Sequence, residues 1–294
     1  GSVYGAHFDG GANDILFKNC TFSGFNAFGS AITLVTFEGC TFKPNGKSGY
    51  NGANLWGNTE MINTKFEFDG TCTEWVDPMS KDKTYSFTGC SINEGSMVNT
   101  NYIWAYNDTK ITIDNVEYTY TNDYLVSNGI ATVCNNDGLT AALKDGETNI
   151  NLIPGNYALA KPTIAGETVK IEGANKEKCI VNITKQIRAT DGKTVLTLKN
   201  LTVDVPTGLS YTEHDFAWIH YLKEFNMIDC ISNGRIRLNT HSANIQNCTF
   251  NVTTSSGFEG IKRKFTDIYM AVFKLEANYT KEELLFYKKY LTKV

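Results

Sequence analysis

Apolar residues along this chain follow an eight-residue pattern, neither the 3.6-residue spacing of a helix nor the plain alternation of a long strand. The octets Ile15–Phe22 (ILFKNCTF), Val35–Phe42 (VTFEGCTF), Tyr85–Ile92 (YSFTGCSI), Ile111–Tyr118 (ITIDNVEY), Leu196–Val203 (LTLKNLTV), Phe225–Ser232 (FNMIDCIS) and Ala243–Phe250 (ANIQNCTF) share it. Thr59–Phe66 (TEMINTKF) fits with Thr64 in the cysteine slot. The apolar slots are the first, third, sixth and eighth positions. Each pair alternates as a strand does, and the extra residue between the pairs breaks the parity. A corner is therefore predicted at the fifth position, which is Asn19, Gly39, Gly89, Asn115, Asn200, Asp229 or Asn247 in the aligned copies. Gly, Asn and Asp are the residues that accept left-handed backbone angles.

Successive copies end at Phe22, Phe42, Phe66, Ile92 and Tyr118, in steps of 20, 24, 26 and 26 residues, and at Ser232 and Phe250, a step of 18. Repeats of that size with variable loops predict a solenoid. The predicted fold class is all-β: a right-handed parallel β-helix, with a short capping helix in mid-chain and a C-terminal helix. Stacking at the spacing of parallel strands sets Phe17 over Phe37 and Phe22 over Phe42. Corner Asn and Asp side chains are placed to hydrogen-bond from coil to coil.

The repeat breaks over 133–160. Asn136-Asp137-Gly138 precedes LTAALKDG, whose Leu139, Ala142 and Leu143 share one helical face, with an Asn or Asp N-cap and Gly146 as stop. A strand over Asn149–Ile153 then runs into the turn Pro154-Gly155-Asn156. The chain thus divides into a first β-helix segment, 1–130, and a second, 131–294, joined by a linker near Val126–Thr132. Thr280-Lys281-Glu282-Glu283 is a capping box before LLFYKKYLTKV, predicting the terminal helix. Residues 256–279 fit neither period. The start at Gly1-Ser2 reads as an excised fragment or tag remnant.

Composition narrows the function. Charged residues are 20% of 294, net charge is −4, and Lys and Arg are scattered, which argues against disorder and against a nucleic-acid partner. No apolar run approaches the roughly 18 residues of a membrane span. Five of eight cysteines (Cys20, Cys40, Cys90, Cys230, Cys248) occupy the sixth slot, which Val116, Leu201 and Thr64 fill elsewhere. The slot therefore reads as small-residue packing. No Cys/His spacing suits zinc, and no metal or cofactor is expected. Sequons begin at Asn19, Asn107, Asn182, Asn200, Asn247, Asn251 and Asn278. Corner chemistry alone produces three of them.

The NCTF-type coils and the stretch DGLTAALKDGETNINLIPGNYAL resemble the pectate-lyase-like right-handed β-helix superfamily. They are similar to coils of gut-bacterial surface proteins and phage tail proteins. The coil motif touches most of 15–118 and 195–250, and the cap motif about 135–160. The resemblance implies the fold; for activity it allows lyases or hydrolases of acidic polysaccharides and repeats with no chemistry. A phage origin would imply a homotrimer. Arg235-Ile236-Arg237 echoes the Arg-x-Lys element of the hydrolases, and Asn122-Asp123 their paired aspartates, but no Asp-Asp or His-Gly pair is present.

Two groups of candidate site residues follow. Arg235 and Arg237, with His220 and His241 and near His214 and Asp215, form the densest chemical region and are the catalytic candidates. Arginines alternating with Ile236 and Leu238 also describe an ordinary solvated strand face. Trp56, Trp75, Trp104, Tyr102 and Tyr106 lie outside the apolar slots, near Asp69, Glu74 and Asp77, and are the candidates for stacking on sugar rings. The reading that joins these features is an extracellular, cell-surface or virion-type module that contacts glycans without catalysis. Its alternatives are a polysaccharide lyase or glycoside hydrolase on an acidic glycan, and a ligand-free rigid spacer.

Overall fold

A computed structural model describes residues 4–8, 13–29, 33–46, 49–70, 73–159, 163–164, 168–183, 186–189, 192–204 and 216–251. The predicted C-terminal helix and the 256–279 segment lie outside the described residues. The chain is mostly β, with one short helix and about seven solenoid turns in all. It divides into two compact units, Gly1–Gly138 and Leu139–Val294.

In the first unit β1 (Tyr4–Phe8) precedes three coils of three strands. These are β2 (Asp14–Lys18), β3 (Thr21–Ser23) and β4 (Phe25–Phe28); β5 (Leu34–Glu38), β6 (Thr41–Lys43) and β7 (Tyr50–Leu55); and β8 (Thr59–Ile62), β9 (Lys65–Phe66) and β10 (Thr73–Pro78). β11 (Tyr85–Thr88) and β12 (Ser91–Ile92) begin a fourth, after which β13 (Gly95–Ser96) folds back on β12. Parallel sheets run β2-β5-β8-β11, β3-β6-β9-β12 and β1-β4-β7-β10, one for each face of the coil.

The octet register is the predicted one. Ile15 lies on Val35, Val35 on Thr59 and Thr59 on Tyr85, and Phe17, Phe37, Met61 and Phe87 follow two residues later. The corners carry the strain that their residue types tolerate: Asn19, Gly39, Asn63 and Gly89 all have φ between 49° and 63°. A β-carbon at Gly39 would stand 2.6 Å from Asn19 Oδ1, so the corner asparagine fills the space above the glycine of the next coil. Inside, Phe17 stacks on Phe37 at 5.3 Å, Phe22 on Phe42 at 4.8 Å and Phe42 on Phe66 at 5.0 Å, all near parallel. Phe28, from the third face, meets Phe37 edge-on at 4.8 Å. Offset stacks and edge contacts are the two favoured ring geometries, and this core contains both.

The last predicted coil of this unit is different. β14 (Lys110–Ile113) pairs with β11 in register, but Asp114 (φ 47°) and Asn115 (φ 67°) both turn left-handed. Two consecutive positive φ values make a tight hairpin turn rather than a one-residue corner. β15 (Val116–Thr121) therefore returns antiparallel on β14, followed by β16 (Tyr124–Ser127) and β17 (Ile130–Val133) through the turns Asn122-Asp123 and Asn128-Gly129. This corrects two expectations. Val116 is 39% exposed and fills no packing slot, and residues 126–132 belong to a hairpin rather than a linker.

α1 (Asn136–Asp145) is the predicted helix. Asn135 Oδ1 caps its start by accepting from Gly138 N at 2.7 Å. Gly146, at φ 83°, ends it with a Glu147 N to Ala142 O bond of 2.9 Å, and Leu139, Ala142 and Leu143 are buried.

The second unit repeats the three-faced coil. It contains β18 (Asn149–Leu152), β19 (Gly155–Leu159), β20 (Thr163–Ile164), β21 (Thr168–Gly173), β22 (Cys179–Ile183), β23 (Gln186–Ala189), β24 (Val195–Lys199) and β25 (Thr202–Asp204). β26 (Phe216–Ile228), β27 (Ile231–Ser232), β28 (Arg235–Gln246) and β29 (Thr249–Phe250) complete it. The long β26 serves two faces: its first half lies on β23 and its second on β24. Tyr221, at φ 59°, is the corner between them. Here the ladders are aliphatic, with Ile150 on Ile171, Ile171 on Leu198 and Leu198 on Met227. The corner ladder is present too, as Asn247 Nδ2 donates to Asp229 Oδ1 at 3.2 Å.

The cysteine slot has a definite chemistry. Cys40, Cys90, Cys230 and Cys248 each set the thiol within reach of two carbonyls, the one two residues back and that of the third octet position in the preceding coil (Phe17, Met61, Leu198 and Met227), and its single hydrogen can go to either. The Thr64 hydroxyl has the same choice, between Phe37 O and Ile62 O. Cys40, Cys90 and Cys230 are buried, whereas Cys20 and Cys248, on the first and last described octets, are half-buried. Burial raises the Cys90 and Cys230 thiols to about 11. All seven described cysteines are free.

Candidate functional site

Arg235, Arg237 and His220 fall on the third face of the second unit, the part of each coil outside the octet, and Trp75 on that of the first. In the second unit the register sets Arg235 opposite Phe216, Arg237 opposite Trp218 and His220 opposite Asn239. Ile236 and Leu238, between and after the arginines, are buried as predicted. The side chains of Arg235, Arg237 and His220 lie outside the described residues, as do His214 and Asp215. His241 is exposed beyond the corner, with Nδ1 at 3.3 Å from Leu222 O, and shares no row with His220. Asn122-Asp123 forms a hairpin turn.

In the first unit Trp75 alone of the aromatic candidates lies within a strand, β10; Trp56 follows β7, and Tyr102, Trp104 and Tyr106 lie between β13 and β14. β4, β7 and β10 align so that Phe25, Gly52 and Trp75 form one row, Asn26, Ala53 and Val76 the next, and Ala27, Asn54 and Asp77 a third. Gly52, at φ 120°, is required: a β-carbon there would run into the Trp75 carbonyl. Ala53 and Val76 are fully buried in the core, so Asn54 and Asp77 turn to the outer face. A single bridge, Val76 to Ile103, brings the 102–104 segment alongside β10. Ile103 is buried as well.

Trp104 is 36% exposed and meets Tyr106, 48% exposed, edge-on at 5.1 Å. Trp56, directly after β7, is 40% exposed. Trp75 is half-buried on β10. Tyr102 packs instead against the core and tilts on Phe68 at 5.4 Å. The structure therefore brings Trp104 and Tyr106 together on the surface, on a segment bridged to β10 beside Trp75, and gives Tyr102 a packing role.

A residue group that sequence reasoning passed over lies on β7 and β10. Tyr50, on β7, is in contact with Phe25 at 4.7 Å and bonds Asn54 Oδ1 at 2.9 Å and Asp77 Oδ2. Asp77 is only 6% exposed, and its Oδ1 has no hydrogen-bond partner. Desolvation is the sole cause that moves its carboxyl, and it pushes the pKa up to about 8. An unsatisfied buried acceptor costs roughly 1–3 kcal/mol. The available signal was the acidic-aromatic composition around Trp75, but no motif linked Tyr50 to Asp77 across 27 residues.

Neither a known protein family, nor any curated protein, nor any solved structure matches the chain significantly. The site must be read on its own chemistry. Among the described residues no three His, Cys, Asp or Glu side chains are grouped to hold a metal, and no helix is long and apolar enough to cross a membrane. Glu74, near Asp77 in sequence, is committed elsewhere: its carboxylate accepts from the backbone N–H groups of Asp69 and Gly70. The sequon asparagines Asn107, Asn182, Asn200, Asn247 and Asn251 each already donate through Nδ2, to Asn122, Tyr157, Gly173, Asp229 and Asn233. The nitrogen that would carry a glycan is part of the fold.

Proposed function

We propose that this chain is an extracellular, cell-surface or virion-type β-helical module that contacts glycans through the third face of its first unit, without catalysis. The observation that carries the reading is the exposed Trp104–Tyr106 pair, continuous with a strand face that offers Trp75, Tyr50 and Asn54. Aromatic rings with polar groups at their margin suit sugars, whose apolar ring faces are bordered by hydroxyls. The coil resemblance to pectate-lyase-like surface and tail proteins agrees with such a role. A homotrimer would follow from a phage origin.

The experiment is a glycan array run together with a depolymerase assay on the same panel. Binding that Trp104→Ala reduces at least tenfold, with no cleavage, is the expected result. One feature favours a second reading, a hydrolase: burial pushes the Asp77 carboxyl up to about 8, in the direction a general acid needs. Glycoside hydrolysis ordinarily needs a second carboxylate across the scissile bond. Cleavage that disappears in Asp77→Ala, or in Arg235→Ala, would promote the enzyme. A chain that neither binds nor cleaves any probe would be the rigid spacer.

A further inference from the structure

The first and last described octets have the same second half: Asn19-Cys20-Thr21-Phe22 recurs as Asn247-Cys248-Thr249-Phe250. Both are also incompletely covered. In the coil-forming octets that begin at Val35, Thr59, Tyr85, Leu196 and Phe225, all four inward slots are buried. In the first octet Ile15, Phe17 and Cys20 are only half-buried, as are Ala243, Cys248 and Phe250 in the last. Ile245 is 38% exposed, although it holds the third slot, which Phe37, Met61, Phe87, Leu198 and Met227 fill with no exposure at all.

The backbone is open at the same places. β1, β2 and β3 each end their sheet, and β28 and β29 pair only with β26 and β27 among the described strands. Two bonds recur between successive coils. The corner N–H donates to the fourth-position carbonyl of the next coil, as Asn19 N does to Glu38 O at 2.8 Å and Asp229 N to Gln246 O at 3.0 Å. The seventh-position N–H donates to the sixth-position carbonyl of the coil before, as Thr41 N does to Cys20 O and Thr249 N to Cys230 O, both at 2.9 Å. Among the described residues, Asn247 N and Cys248 O meet no following coil, and Lys18 O and Thr21 N meet no preceding one. Cys20 likewise reaches only Lys18 O, at 3.4 Å, where Cys40, Cys90, Cys230 and Cys248 also reach a carbonyl of the coil before.

We infer that the last octet of one copy of this chain stacks on the first octet of a second copy, in the register that the coils use within the chain. Ala243 then lies on Ile15, Ile245 on Phe17, Cys248 on Cys20 and Phe250 on Phe22. Asn247 N donates to Lys18 O, Thr21 N donates to Cys248 O, and the Cys20 thiol comes within reach of Ile245 O. In the outward rows Asp14 meets Ser242, Leu16 meets Asn244 and Lys18 meets Gln246, so no like charges are opposed. The occupant is a second copy because its end octet matches both requirements. It brings apolar side chains at the open slots, and N–H and C=O groups at the positions where this end has the complementary group unpaired. The contact joins two different surfaces, so each copy added leaves a free end for the next.

Sedimentation velocity of the full chain from micromolar to millimolar concentration tests this. The mass is expected to rise with concentration past that of two 32.6 kDa chains. Ile245→Asp and Ile15→Asp each place a charge at one end, and each variant alone should remain monomeric. Mixed, they should form a one-to-one complex, since Ile245→Asp retains an intact first octet and Ile15→Asp an intact last one. If Ile15→Asp loses the far-UV circular dichroism of the wild type, Thr21→Pro replaces it, because it removes only an N–H that is unpaired in the single copy. A wild-type chain that stays monomeric throughout overturns the inference, including the case in which residues beyond 251 occupy the last coil. So does a mass that stops at two copies, or a mixture of the two variants that forms no complex.

Discussion

Two octets of one template, Tyr85–Ile92 and Ile111–Tyr118, lie side by side in the first unit and end in opposite ways. Their first halves are equivalent: Tyr85 pairs with Ile111 and Phe87 with Ile113, in a parallel register. In the first octet a single left-handed residue, Gly89, turns the corner, and β12 continues onto the second face with Cys90 buried behind it. In the second, Asp114 joins Asn115 in the left-handed region, and the chain returns along the strand it has just made. The hydrophobic pattern is nearly identical. What differs is the fourth position, Thr88 against Asp114, a residue that also accepts positive φ. One permissive residue makes a coil and two in succession make a hairpin.

The largest expected effect tests what holds the coil side. Phe42 is fully buried, stacked between Phe22 and Phe66. Phe42→Ala should cost about 3–5 kcal/mol, as large-to-small changes of buried rings do. Val116, in the sixth apolar slot on the hairpin side, is exposed, and Val116→Ala should cost less than about 0.5 kcal/mol. Urea unfolding of the two variants measures the contrast. Comparable losses would mean that β15 packs inward, as the octet pattern alone had implied.

A middle-sized effect addresses the turns. Valine at position 115, forced to φ 67°, should cost on the order of 1–3 kcal/mol in strain, whereas Asn115→Gly should be close to neutral. Thermal melts decide it. If Asn115→Val and Asn115→Gly melt together, the paired left-handed residues are not what reverses the chain.

The comparison also shows which parts of the molecule were legible in sequence. The octets gave the register of Phe17, Phe37, Met61 and Phe87, the left-handed corners and the capped helix, because each rests on local chemistry repeated at equivalent places. The hairpins were missed although Asn122-Asp123 and Asn128-Gly129 are strong turn signals, since the solenoid period carried the reading past them. The third face was illegible for a deeper reason. FNAF, YNGANL and TEWVDP share no pattern, because that face mixes inward small residues with an outward surface that need not repeat. The aromatic candidates were therefore visible as residues but not in their placement. The Tyr50–Asn54–Asp77 group exists only through the coil step that superposes β7 and β10.

The smallest expected effect concerns the sixth slot, where coil and hairpin octets differ again. Cys40 Sγ lies 3.4 Å from Phe17 O and 3.6 Å from Glu38 O, either of which its hydrogen can reach, and Thr64 Oγ1 is placed equivalently one coil later. Taken alone, that regularity would suggest that the slot requires a donor. Leu201 argues against it, filling the same slot fully buried with no donor at all. A thiol is a weak donor, and the carbonyls it reaches already belong to strands, so volume should dominate. Cys40→Val is accordingly expected to cost less than about 1 kcal/mol, and Cys40→Thr no more. Thiol titration supplies the independent readout. Burial raises the Cys40 thiol, so little thiolate is present at neutral pH, and labelling should be slow until the protein is denatured. Half-buried Cys20 and Cys248 should label before it. A loss of several kcal/mol in Cys40→Val, with Cys40→Thr unaffected, would show that the hydrogen bonds rather than the packing hold this row together.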